Sequence, residues 1–96
     1  MGEFSGRVAV VTGAAGNLGR ALCSALGLRG ATVAMLDISA DRLTAAKQDL
    51  PAGADAETFA VDLLSADDVG RATAEIKARF GRVDILVSNA GIQHVS

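Results

Sequence analysis

The run Val8-Ala9-Val10-Val11-Thr12-Gly13-Ala14-Ala15-Gly16-Asn17-Leu18-Gly19 decides how this chain is read. It opens with an unbroken apolar stretch rich in β-branched residues, which suits a strand covered on both faces. It then turns through glycines and small alanines. Leu18, Ala21, Leu22, Ala25 and Leu26 follow at helical spacing, so a helix is expected directly after the turn, with those five residues as its buried stripe. A strand that enters a helix through such a turn aims several backbone N–H groups, and the positive end of the helix dipole, at one place. Small residues there let an anion approach the backbone.

Working outward, residues 33–36, 58–61 and 83–87 repeat the short apolar run and are expected as three more strands. Between them, Leu43, Ala46 and Leu50 make a second helical stripe. Val69, Ala72, Thr73, Ile76 and Phe80 make a third, with Ser65 and Asp68 spaced as a capping box at its start and Gly81 just past its end. The order is β-α-β-α-β-α-β. Crossovers of this kind are right-handed and place helices against the faces of a parallel sheet. The expected fold is therefore α/β: a Rossmann-type open parallel sheet of four strands, order 3-2-1-4, with helices on both faces. A flavodoxin-like half fits the same length. Residues 1–96 are expected to belong to one domain.

Composition narrows the function. The 96 residues are 50% apolar and 21% charged with a net charge of −2, which leaves no basic stripe for nucleic acid. The longest uncharged stretches, residues 8–19 and 85–96, are far short of the ~20 mostly apolar residues that span a bilayer. Glu3 stands where a signal peptide would be cationic, and one cysteine cannot close an internal disulfide. A cytoplasmic protein is expected, with no membrane partner and no metal. The chain has no Tyr and no Trp, so it cannot itself complete a mechanism that needs a tyrosine proton donor.

The candidate site begins in the turn. Gly13, Ala15, Gly16, Asn17, Leu18 and Gly19 are expected to hold a pyrophosphate. The turn is not a P-loop, because Arg20-Ala21 follows its last glycine where Lys and a hydroxyl residue would be needed. Asp37 ends the second strand 18 residues after Gly19, close to the place of a carboxylate that accepts from the adenosine ribose of a dinucleotide. A 2′-phosphate about 4 Å from such a carboxylate is repelled by about 4 kcal/mol at an effective dielectric near 20. The residues that follow are Ile38, Ser39 and Ala40, with Arg42 the nearest cation, so NAD(H) is expected over NADP(H). Asp62-Leu63 and Ser88-Asn89-Ala90-Gly91 end the third and fourth strands. Ligands in open α/β sheets bind beyond those carboxyl ends.

Together, Thr12-Gly13 through Gly19, Asp37, Asp62-Leu63 and the run from Phe80 to Gly91 resemble the classical short-chain dehydrogenase/reductases, in order and at family spacing. The resemblance implies that residues 13–19 cradle the pyrophosphate of NAD and that Asp37 and Ile38 adjoin the adenosine ribose. It implies that Asp62 and Leu63 touch the adenine, and that Asn89, Ala90 and Gly91 brace the sheet against the cofactor. Two positions depart from the pattern. Asn17 stands where the classical branch has glycine and is expected to take a left-handed backbone at a cost of about 1 kcal/mol. Ser88 stands in place of an Asn. The spacing of Gly13, Gly16 and Gly19 also fits the extended branch, which includes sugar-nucleotide epimerases, but the fourth strand favours the classical one.

The family's catalytic Asn, Ser and Tyr-x-x-x-Lys follow the fourth strand. The chain is accordingly expected to be the cofactor-binding part of a longer secondary-alcohol oxidoreductase, inactive alone, whose parent is a homotetramer. The run Asn89 to His94 is similar to D-3-hydroxybutyrate dehydrogenases, which would make Gln93 a substrate residue; His94 is expected as a loop residue. The competing expectation is a non-catalytic nucleotide-binding or self-associating module, because the fourth strand has an open edge.

Overall fold

Seven elements alternate along residues 2–89, the part of the chain that this computed structural model describes. They are β1 (Val8–Thr12), α1 (Asn17–Leu28), β2 (Thr32–Asp37), α2 (Ala40–Gln48), β3 (Asp55–Ala60), α3 (Ala66–Phe80) and β4 (Ile85–Val87). All pairings are parallel and the sheet order is β3-β2-β1-β4. This is the expected topology, with the chain reversing direction across the sheet between β1 and β4.

Every residue of β1 is buried, because the strand is paired on both edges and covered on both faces. Successive side chains alternate between faces. Ala9 and Val11 join Val33, Met35 and Ala56 under Cys23 of α1 and Leu43 and Ala46 of α2. Val10 joins Ala34 and Leu36 on the opposite face, against Ala72 and Ile76 of α3 and the buried Val61. Phe59 and Phe80 extend that second layer edge to face, with centroids 6.3 Å apart. Cys23 is fully enclosed, and burial pushes its thiol up to about 11, so it serves as a small protonated packing residue.

The expected stripe on α1 is displaced by one position. Leu18 is 53% exposed, and Ala21 and Ala25 also face solvent. The face that meets the sheet is instead Gly19, Cys23 and the half-buried Leu22 and Leu26. The cause is close approach. A methyl group on Gly19 would overlap the Gly13 carbonyl, and one on Gly27 would lie 3.1 Å from the Ala54 Cβ. The helix turns its smallest residues inward so that backbone can lie on backbone.

Two strand boundaries also differ from expectation. β3 starts at Asp55, not at residue 58, and pairs with β2 through all six of its residues. An edge strand tolerates Asp55 and Glu57, which here meet the Thr32 hydroxyl and Arg79 of α3, and an apolar run is not its signature. Val61 adds one further bond, donating its N–H to the Asp37 carbonyl at 2.8 Å. β4 is only three residues, since Val83 is 51% exposed and Asp84 is occupied otherwise. Among the described residues β4 pairs with β1 alone, and Leu86 is 67% exposed.

Ser39 and Ser65 cap α2 and α3, accepting from the N–H groups of Arg42 and Asp68, each at 3.2 Å. The reciprocal half of the expected capping box is absent. The Asp68 carboxylate accepts the Asp62 N–H at 2.6 Å, while the Ser65 N–H donates to the Asp62 carbonyl at 3.0 Å. α3 ends on Gly81 with a left-handed φ of 77°. Among the described residues no helix is long and apolar enough to cross a membrane.

Asp84 ties β4 to β1 from the amino end of the sheet. Its N–H donates to the Val8 carbonyl at 2.9 Å, its carboxylate accepts the Val8 N–H at 2.8 Å, and Arg82 donates to both of its oxygens. The Arg82 guanidinium first, and the Val8 N–H second, hold this carboxyl below the usual carboxylate range. A depressed folded-state pKa contributes stability that is present above the unfolded value of about 3.9 and is lost as pH falls through the folded value. Asp84→Asn is expected to lower the urea midpoint at pH 7 and to make the midpoint fall less steeply below about pH 4. Parallel acid limbs in parent and variant would assign the acid sensitivity elsewhere.

Candidate functional site

The turn after β1 is fastened to the end of β2 by backbone first. Gly13 takes a left-handed φ of 65°, which a side chain would resist, and the Ala14 N–H then donates to the Leu36 carbonyl at 3.0 Å. The Gly16 N–H closes the turn on the Gly13 carbonyl at 3.2 Å. The next peptide is held by side chains. Asp37 Oδ2 accepts the Ala15 N–H at 3.0 Å, and Arg42 Nη2 donates to the Ala15 carbonyl at 3.3 Å. The other oxygen of Asp37 accepts the Ile38 N–H at 2.7 Å.

On the opposite side, Thr12 and Asn89 knit the turn to β4. Thr12 Oγ1 accepts the Asn89 N–H at 2.8 Å and donates to the Val87 carbonyl at 3.4 Å. Asn89 Nδ2 donates to the Gly13 carbonyl at 3.3 Å. Both polar side chains are buried, so these bonds replace lost hydration and fix the geometry.

A cavity of about 150 Å³ opens between these two fastenings, lined by Gly13, Gly16, Asn17, Leu18, Asp37, Arg42 and Asn89. Six of the sequence-predicted residues, Gly13, Gly16, Asn17, Leu18, Asp37 and Asn89, therefore meet at one place, at the carboxyl ends of β1 and β2. Gly19 lies just behind, buried against Gly13, and Ile38 projects into solvent beside Asp37 with 67% exposure. Asp62 and Leu63 lie at the end of β3 outside that lining. Asp62 Oδ1 accepts the Leu64 N–H at 2.9 Å, and Leu63 is 43% exposed. Ala90, Gly91 and Gln93 lie outside the described residues.

An anionic ligand suits the opening of α1. The helix starts after Gly16 with no side-chain cap and no acidic residue in its first turn. α2 and α3 begin with a serine cap and with Asp41, or Asp67 and Asp68, in their first turns. The first N–H groups of a helix have no partner within it, so α1 alone of the described helices leaves its dipole and donors to something external. Asn17 is the first residue of α1, and no residue other than glycine has a positive φ among those described. The expected left-handed Asn17 is thus replaced by an ordinary helical one, and no strain attaches to it.

Two contributors were not legible as site residues. Arg42 is five positions beyond Asp37, and only the Ser39 cap, which starts α2 at Ala40, brings its side chain back to the turn. Thr12 reads as a strand end, yet its hydroxyl links β1 to β4. A hydroxyl residue immediately before the first glycine was the available signal.

Residues 7–96 match the family model for short chain dehydrogenase. The chain is 39% identical over 95 residues to a D-threitol dehydrogenase of Mycolicibacterium smegmatis, covering 98% of this chain and 36% of that protein. A metagenomic short-chain oxidoreductase solved in complex with NADP superposes with a TM-score of 0.88 at 39% identity, over 93% of this chain and 41% of that one. An NAD+-bound xylitol dehydrogenase superposes with a TM-score of 0.84 at 32% identity, over 88% of this chain and 33% of that one. The chain spans about a third of the length of the curated relatives it matches.

The two glycines of the turn are expected to separate under substitution. Gly19→Ala forces a methyl onto the backbone of Gly13 and Ala14, and overpacking of this kind costs about 1–3 kcal/mol. At Gly16 the new methyl meets only the Gly13 carbonyl, at 3.5 Å, and φ is already negative, so Gly16→Ala is expected within about 0.5 kcal/mol of the parent. Thermal melts of the two variants decide this. Equal losses would show that the helix does not press on the turn as described.

Proposed function

This chain belongs to the short-chain dehydrogenase family, and from that membership we propose that it is the dinucleotide-holding part of an NAD(H)-dependent oxidoreductase acting on a secondary alcohol or ketone. The observation that carries the reading is Asp37, whose carboxylate holds the Ala15 N–H at the mouth of the uncapped helix α1. Residues 1–96 would then form the amino-terminal portion of a single nucleotide-binding domain. A small hydroxy acid is the proposed substrate class, with Gln93 as its carboxylate contact. Cytoplasmic residence belongs to the same proposal.

A bound nicotinamide would supply or accept the hydride. The residues of this chain would bind and orient. The turn from Gly13 to Gly19, with Ala15, Gly16, Asn17 and Leu18, would offer its amides to the pyrophosphate at the start of α1. Asp37, flanked by Ile38, would accept from the ribose hydroxyls. Asp62 and Leu63 would border the adenine, and Asn89, Ala90 and Gly91 would wall the crevice at β4. The chain has no tyrosine, so proton transfer by such a residue is not among its roles, and it is proposed to bind dinucleotide without turning over alcohol by itself.

Preference for NAD(H) is the testable core. Isothermal titration of the 96-residue chain is expected to give NADH an affinity at least about tenfold above NADPH, the direction set by carboxylate–phosphate repulsion. Asp37→Asn keeps an acceptor for the Ala15 N–H and removes the charge, so the gap is expected to close. Equal affinities in the parent chain would refute the preference.

Self-association is a second reading, favoured by the open edge of β4 and the exposed Leu86. Light scattering is expected to show oligomers that Leu86→Lys reduces. A monodisperse monomer at high concentration would exclude it.

A further inference from the structure

The loop between β3 and α3 leaves the sheet at a fixed point. The Val61 N–H donates to the Asp37 carbonyl at 2.8 Å, and the Val61 side chain is buried. From Asp62 onward the backbone is held by α3 instead. The Asp62 N–H donates to Asp68 Oδ2 at 2.6 Å, and the Asp62 carbonyl accepts the Ser65 N–H at 3.0 Å. Asp62 Oδ1 accepts the Leu64 N–H at 2.9 Å, while Oδ2 has no recorded bond to a described residue. Asp68 is itself fixed twice. Its N–H donates to Ser65 Oγ at 3.2 Å, and its Oδ1 accepts from Arg71 Nη2 at 2.6 Å. The same Nη2 reaches the Ala60 carbonyl at 3.3 Å, and Nη1 donates to Glu75 at 3.0 Å. The residues on either side of Val61 are thus tied to the first turn of α3 through one carboxylate and one guanidinium.

Resting on the dinucleotide reading above, we propose that Asp68 is a positioning residue for recognition of the base, acting through Asp62, and that Arg71 locks it in place. A serine cap orders a helix start without reference to the strand before it. The Asp68 carboxylate adds that reference, because its bond to the Asp62 N–H sets where the Asp62 side chain stands. A bond from a backbone N–H to a charged acceptor is among the stronger kinds. The unbonded oxygen of Asp62 can accept from an exocyclic amino group and repels a carbonyl oxygen. Recognition through one acceptor depends on placement, since a hydrogen bond weakens steeply once its angle falls toward about 120°. Asp68 and Arg71 therefore act on the difference between a base with an amino group and one with a carbonyl at the same position. They do not act on the pyrophosphate or the ribose, which meet the chain at α1 and β2. Glu75 contacts Arg71 alone and lies off this path.

The test is calorimetric titration of the 96-residue chain with NADH and with reduced nicotinamide hypoxanthine dinucleotide, in which a carbonyl replaces the adenine amino group. The parent chain is expected to bind NADH about tenfold more tightly. Asp68→Ala is expected to cut that ratio to about twofold, chiefly by weakening NADH, and Arg71→Ala to about fourfold. Asp68→Asn keeps an acceptor for the Asp62 N–H, and Arg71→Lys keeps a donor for Asp68, so each is expected to restore part of the ratio. Glu75→Gln is expected to leave it unchanged. Circular dichroism checks the fold of each variant. If Asp68→Ala does not fold, Arg71→Ala, at a half-exposed side chain, carries the test. An unchanged ratio in the two alanine variants, whether both ligands weaken equally or neither does, would overturn the proposal and leave Asp68 as a structural tie. Equal affinity of the parent chain for the two ligands would overturn it as well, because Asp62 would then not read the base. Failure of the parent chain to bind NADH at all would overturn the functional reading itself, and this inference with it.

Discussion

The burial of β1 on both faces and both edges is the constraint from which the remainder follows. A strand with no exposed residue and a partner on each edge has a single-valued register with β2 and β4, because a slip would turn its buried side chains to the wrong faces. That register delivers Gly13 to the rim of the sheet between the ends of β2 and β4. The three polar groups that fasten the rim, Thr12, Asp37 and Asn89, come from those three strand ends. The turn is therefore held from both sides by residues whose own positions the core dictates. A cavity built this way is preorganised, and a ligand entering it does not have to order the loop.

Charge is distributed with the same economy of position. Helices α2 and α3 answer their own dipoles with serine caps and first-turn aspartates, whereas among the described residues α1 has neither. The uncapped helix is also the one whose start abuts the cavity. A carboxylate and a guanidinium flank that start without neutralising each other. The site thus has a positive backbone pole, a negative acceptor and a cation without an ion pair among the described residues within a single crevice. That arrangement suits a ligand bearing both hydroxyls and phosphates better than one bearing either alone.

The topology was legible because it depends on period. Four short β-rich runs separated by helical stripes leave few arrangements once crossovers must be right-handed, and the observed order 3-2-1-4 is one of them. What was not legible depends on contact. Leu18, Ala21 and Ala25 satisfy the helical period as well as Gly19, Leu22 and Cys23 do, and only the nearness of Gly13 makes the glycine face the better fit. Asp55 and Glu57 hid the start of β3, because an open edge removes the demand for apolar residues that marks a central strand. Asn17 was assigned a strained backbone from its place in a glycine pattern, yet the structure ends the turn one residue earlier and lets it begin the helix. Arg42 is named in the sequence only as the nearest cation, and its place at the turn is hidden for the converse reason. Its distance along the chain from Asp37 is cancelled by a helix start that no spacing rule encodes. Ala90, Gly91 and Gln93 stay as sequence expectations.

Asp68 shows how a local signal can be correct in its residues and different in its use. Spacing from Ser65 marks it as the returning arm of a capping box, and Ser65 does cap its N–H. The carboxylate turns instead to the N–H of Asp62 and to Arg71, whose guanidinium also reaches the Ala60 carbonyl at 3.3 Å. The end of β3 is thereby sewn to the first turn of α3 across the loop that carries Asp62 and Leu63. The backbone bond to Asp62 first, and Arg71 second, hold the Asp68 carboxyl below its usual range. A lowered carboxyl remains charged at every pH above the ordinary value of about 3.9, so this clamp stays closed through the neutral range. Asp84 behaves alike at the amino end of the sheet. Acid thus loosens both rims of the sheet only below the ordinary carboxylate range, and any change in ligand binding near neutrality must arise from groups other than these two.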